Sequence, residues 1–130
     1  AGTFVYAEPG VKRTAFAEEA GTTVLVVGGV PGKAYVVEGW EIWAPFHPLY
    51  EAGEYEQAAD RLDAELPLEA PYPGAHFNAA CVYSLAGRKE DALPALRRSI
   101  ELSERFREMA KTDTDLDAIR DEPGFSELVG

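Results

Sequence analysis

The chain has 130 residues, 46% of them apolar, which suits one ordinary domain or two small pieces and leaves no disordered or low-complexity stretch. Against 12 basic residues stand 23 acidic ones, a net charge of −11 that argues against nucleic acid and anionic membranes, where a basic surface supplies most of the affinity. Cys81 is the one cysteine, so there is no internal disulfide framework and a reducing cytoplasm is the default compartment; the longest apolar run, residues 24–27 extended by Gly28 and Gly29, is far too short to span a bilayer.

Residues 1–40 carry strand signals. Residues 3–7 alternate, Glu8-Pro9-Gly10 turns, residues 11–17 alternate again, residues 22–27 form a β-branched run, and residues 34–37 close the set. The loop after the third strand ends in Gly32-Lys33, close to the opening of a phosphate-cradling loop. That motif would need glycine at Val27 and a magnesium-binding hydroxyl at Ala34, and the β-favouring residues that follow do not open a helix. The stretch reads as a turn between antiparallel strands, with Pro31-Gly32 at its centre and Lys33 solvated.

Residues 2–13, Gly-Thr-Phe-Val-Tyr-Ala-Glu-Pro-Gly-Val-Lys-Arg, resemble the second motif of cupin barrels, and residues 22–29 resemble the closing strands of such a barrel. Gly2 and Gly10 match. Glu8 stands where that family has proline, Arg13 where it has a metal-binding histidine, and Ala17 where it has asparagine. An arginine stays charged and cannot ligate a first-row metal, so no metal or other cofactor is expected there, and Arg13 is left as a possible anion contact. Four short strands cannot close a barrel. The chain therefore reads as a fragment of a longer protein, or as one whose strand edges pair with a second copy to give a homodimer.

From about Pro48 the apolar period becomes helical, with Trp43, Pro45 and Pro48 in a connector that packs. A shift of 34 residues lays Ala52 on Ala86, Gly53 on Gly87, Glu56 on Glu90, Ala58 on Ala92 and Leu62 on Leu96. Each glycine would end a first helix, each alanine let a second helix cross closely, and each leucine fill the shared core. Residues 76–87, His-Phe-Asn-Ala-Ala-Cys-Val-Tyr-Ser-Leu-Ala-Gly, followed by Ala92 and Leu96, resemble a tetratricopeptide repeat. The preceding unit departs from that pattern, with Phe46 where the family has glycine and two prolines that must shorten its first helix. The fold class expected is α+β: a β segment over 1–40, then a tetratricopeptide-like helical domain over 41–130, with repeats at 42–68 and 74–109 and a cap at 113–130.

The tail 113–117, Asp-Thr-Asp-Leu-Asp, mimics the start of a calcium loop, but Ala118 and Gly124 hold the positions that need glycine and glutamate. It reads as a helix N-cap made by Asp113, Thr114 or Asp115, with Leu116, Ile119, Phe125 and Leu128 packing as a terminal cap. Arg97, Arg98, Arg105 and Arg107 interleave with Glu101, Glu104 and Glu108, which suggests i,i+4 ion pairs on a helix surface.

Catalytic patterns are poor. His47 and His76 have no i,i+4 histidine partner, Cys81 sits mid-helix among Ala79, Ala80 and Val82 as a packing residue, and Ser84 has no evident base. Asn78 is placed like the side chain with which some repeat proteins grip a peptide's terminal carboxylate, but no lysine or arginine joins it between His76 and Ala86. The expected function is a non-catalytic protein-interaction or scaffold module, whose groove candidates are Phe77, Asn78, Cys81, Ser84 and Leu85 and whose partner is a neutral or basic protein segment. The alternatives are the end of a cupin-type small-molecule-binding protein or enzyme, completed by upstream strands, and a structural homodimerisation module.

Overall fold

In the computed structural model the described residues are 39–130. They form α1 (Trp40–Trp43), α2 (His47–Glu51), α3 (Tyr55–Glu65), α4 (Pro73–Leu85), α5 (Lys89–Leu102), α6 (Arg105–Thr112), a 3₁₀ segment (Thr114–Ile119) and α7 (Pro123–Val129). The α+β expectation is corrected here: among the described residues there is no strand, and the architecture is all-α. The reason lies in the pattern, since the apolar residues of α3, α5 and α6 are spaced for one helix face and those of α4 fill a helix covered on several sides. The strands expected between residues 3 and 37, the turn at Lys33 and Arg13 lie outside the described residues.

The first helix of the first hairpin is split. Pro45 disfavours helical backbone at the residue before it, so α1 stops at Trp43 and a turn intervenes. Helix α2 then restarts with Pro48 in its first turn, where the missing N–H costs nothing. At the far ends of α2 and α4 the chain makes the same turn twice. Gly53 and Gly87 have φ of 74° and 76°, and each sits just beyond an alanine C-cap. The Gly53 and Gly87 N–H groups donate to Tyr50 and Ser84, and those of Glu54 and Arg88 donate five residues back to Leu49 and Tyr83. Both are Schellman closures, which need a left-handed residue and so favour glycine.

Each second helix buries one stripe: Ala58, Ala59 and Leu62 on α3, and Ala92, Ala95, Leu96, Ser99 and Ile100 on α5. Leu62 and Leu96 are almost fully buried, each contributing roughly 2 kcal/mol of transfer free energy. Helix α4 is buried nearly all round because it packs against α3, α5 and the 3₁₀ segment at once. Its alanines at 75, 79 and 80 let those neighbours approach, and Ser99 Oγ donates to the Pro73 carbonyl at 2.8 Å.

The tail continues the same frame. Helices α3, α5 and α7 begin at Tyr55, Lys89 and Pro123, and both intervals are 34 residues (89 − 55 and 123 − 89). In register, α6 and the 3₁₀ segment thus take the place of a third first-helix, and α7 that of a shortened second helix. Leu116, Ile119, Phe125 and Leu128 are buried, in one core cluster with Leu62, Val82, Leu96 and Phe106. Asp113 is the residue that caps the 3₁₀ segment, its Oδ1 accepting from the Asp115 N–H at 3.1 Å. Two arginines of the basic cluster pair at i,i+3, not i,i+4: Arg98 lies 3.6 Å from Glu101, and Arg107 pairs with Glu104.

Candidate functional site

Two clefts of this helical unit gather polar side chains. The outer one, about 270 Å³, lies between α3, α4 and α5, with Asp63, Leu68, His76, Tyr83, Asp91 and Pro94 among its lining residues. Its polar groups are engaged with one another. Arg88 reaches Asp63 and Asp91 at 2.7 and 2.8 Å and lies over the Tyr83 ring, while the Tyr83 hydroxyl donates to Asp63 at 2.8 Å. Partial burial works to raise the Asp63 carboxyl, but the hydrogen bonds from Arg88 and Tyr83 outweigh it and hold the group below its usual range. This cleft is a strut between the first two hairpins.

The inner cleft, about 250 Å³, is lined by Trp43, His47, Tyr50, Asn78, Cys81, Asp113 and Asp115. Its residues come from first-helix positions of all three hairpins. His47, Cys81 and Asp115 are themselves 34 residues apart (81 − 47 and 115 − 81), so one register position recurs along the array. The upper wall is aromatic. The Tyr50 ring stands edge-on to Trp43 at 5.8 Å between centroids and stacks with His47 at 6.3 Å.

The floor is acidic and held in place. Asp113 caps the 3₁₀ segment, and Asp115 Oδ2 accepts from the Tyr50 hydroxyl at 2.6 Å. That bond to Asp115, aided by burial, raises the pKa of Tyr50, so the phenol keeps its proton. Arg120 ties the floor from behind, donating to the carbonyls of Lys111 and Asp113 at 2.8 Å each. The Cys81 thiol is 5% exposed, and burial first, then the charges of Asp113 and Asp115, push its pKa up. A thiol so placed is a poor nucleophile in the cation-free chain.

No family model matches this chain, and no curated protein or solved structure is significantly similar to it. Of the five groove candidates, Asn78 and Cys81 line the inner cleft. Phe77 is buried against the Phe106 ring, with centroids 5.0 Å apart, and Leu85 is half-buried at the end of α4. Ser84 is buried, and among the described residues its hydroxyl has no hydrogen-bond partner. The cleft residues that reasoning from the sequence did not gather are Trp43, His47, Tyr50, Asp113 and Asp115. Extending the 34-residue shift one step further, from Cys81 to Asp115, is the signal that finds the last of them. No helix among the described residues is long and apolar enough to cross a membrane.

Proposed function

We propose that this chain is a non-catalytic interaction module whose inner cleft receives a segment of another protein presenting a lysine or arginine side chain. The observation that carries this reading is the pairing of an aromatic wall, Trp43, His47 and Tyr50, with a floor of two fixed carboxylates, Asp113 and Asp115. An alkyl stem packs against the rings while its cationic head meets the carboxylates, and Asn78 is at hand for a backbone amide of the segment. The net charge of −11 speeds the approach of a basic segment and disfavours an acidic one. First-helix faces forming a groove is also the arrangement that the tetratricopeptide resemblance implies.

Selection of random peptides displayed on phage against the full chain tests this. The expected result is enrichment of lysine- or arginine-containing peptides. Their binding weakens with added salt and falls about tenfold on replacing the cation with glutamine or on Asp115→Asn, as loss of a charge-assisted contact predicts. Enriched peptides without a basic residue, binding unaffected by Asp115→Asn, or no enrichment at all would refute it.

A further inference from the structure

Cys81, Asp113 and Asp115 each offer one ligand atom, and the three atoms lie within 4.8 Å of one another. One is a free thiol; among the described residues no side chain hydrogen-bonds to it. The other two are carboxylates, each with one oxygen already committed: Asp113 to the Asp115 N–H and Asp115 to the Tyr50 hydroxyl. The second oxygen of each remains for a ligand. A buried thiol and two half-buried carboxylates meeting in a cleft is an awkward grouping without a cation, because any two of the three repel when ionised.

We infer that the floor of the inner cleft is a site for a divalent transition metal of the zinc or cobalt kind, ligated by Cys81 Sγ and one carboxylate oxygen each of Asp113 and Asp115. Tetrahedral zinc with a thiolate bond of about 2.3 Å and carboxylate bonds of about 2.0 Å sets its sulfur and oxygen ligands about 3.5 Å apart. The two carboxylate oxygens would stand about 3.3 Å apart, so no pair has to close by more than about 1.5 Å, which small turns of the carboxylates about their existing hydrogen bonds supply. The donor set selects the metal. Thiolate favours zinc or cobalt over magnesium and calcium, which take all-oxygen sites. The hydrogen bonds from Tyr50 and from the Asp115 amide aim the carboxylates, as supporting contacts do around protein-bound metals. The fourth position falls to water or to His47, which lines the same cleft. With three anionic ligands the metal leaves the floor at net −1. This assignment does not require the peptide reading but shares Asp113 and Asp115 with it, so metal and peptide cation would compete for the floor; a chain that takes metal and no peptide, or peptide and no metal, separates the two.

The test is titration of the full, untagged, reduced chain with Co²⁺, followed by displacement with Zn²⁺. One equivalent of Co²⁺ is expected to bind with an intense thiolate-to-cobalt charge-transfer band and tetrahedral ligand-field bands, and Zn²⁺ is expected to abolish both. The charge-transfer band disappears in Cys81→Ala, a substitution suited to mid-helix, whose folding is confirmed by circular dichroism. Affinity falls about tenfold or more in Asp115→Asn and in Tyr50→Phe, the range that ligand and supporting-contact losses produce. A fall in His47→Ala assigns the fourth ligand to His47, and an unchanged affinity assigns it to water; both leave the three-ligand site standing. Saturation without the charge-transfer band, equal binding by folded Cys81→Ala, or no saturable binding by the unaltered chain overturns the assignment.

Discussion

Gly39 opens the helical unit, and replacing it with alanine should be the most damaging change of a single methyl among the described glycines at positive φ. Its carbonyl accepts from the Trp43 N–H at 2.8 Å, which starts α1 and sets where the Trp43 ring stands over the inner cleft. Two costs add. The residue has φ of 99°, which costs an alanine about 1–2 kcal/mol. A Cβ there would also lie 2.7 Å from Ala75 Cβ, 2.8 Å from the Ala75 backbone nitrogen and 2.9 Å from Tyr72 Cβ. Two of these belong to the first turn of α4, which cannot rotate away, so overpacking adds about 1–3 kcal/mol. The total is about 2–5 kcal/mol. Gly87 supplies the control, since its φ is 76° but nothing lies within 4 Å of an added Cβ. Gly87→Ala should therefore cost about 1–2 kcal/mol, the conformational part alone. Urea unfolding followed by far-ultraviolet circular dichroism measures both, and tryptophan fluorescence of the folded Gly39→Ala chain reports any shift of the aromatic wall. If Gly39→Ala costs no more than Gly87→Ala, the close approach of this turn to α4 does not constrain the fold, and the reasoning fails.

Two further outcomes follow from buried and exposed polar geometry. Pro94 lies inside α5 on an exposed face and removes the N–H that would donate to Glu90. Pro94→Ala should raise stability by about 1–3 kcal/mol in the same urea assay, and a destabilisation would show that the ring packs in the outer cleft more usefully than it disrupts the helix. His76 is buried, and its Nε2 lies 2.8 Å from the Ala70 carbonyl, an acceptor only, so that nitrogen carries the proton of a neutral ring. Burial, assisted by Arg98 and opposed by the Ala70 bond, lowers its pKa below 6.5. As pH falls through 6.5 the unfolded chain takes up a proton that the folded chain refuses, so stability drops from there down to the folded pKa and this contribution is level above 6.5. His76→Gln should flatten that slope between about pH 7 and pH 5, and an unchanged slope would assign the acid sensitivity to other groups.

Much of the helical half could be read from residue spacing. The glycine pair at 53 and 87 marks two identical helix closures, and the Ala58–Ala92 and Leu62–Leu96 matches mark the buried stripes, because a close crossing and a left-handed turn admit few residue types. The third hairpin kept the element register but not those residues: Asp121 and Gly130 stand where the shift would put the turn glycine and the core leucine. Its 34-residue interval therefore shows in where α7 begins and not in what it contains. The same loss hid the inner cleft. Asp113 and Asp115 were legible as a local cap, and Asp113 does cap, but their facing Cys81 depends on how the 3₁₀ segment packs on α4. A helix-face argument likewise groups Phe77 and Ser84 with Cys81, since it holds no information on the neighbours that cover each position. Strand-like alternation led to the α+β expectation, and all of it falls before residue 39.

The fixing of the acidic floor has a thermodynamic consequence. Asp113 is immobilised by its own cap, Asp115 by Tyr50, and the peptide carrying both by Arg120, whose charge persists at any physiological pH. A cation entering the cleft therefore meets oxygens whose conformational entropy was already surrendered when the chain folded. Its binding free energy is then governed by exchanging its hydration shell for ligands that need little further ordering, so dehydration cost weighs beside donor chemistry in deciding which cation stays.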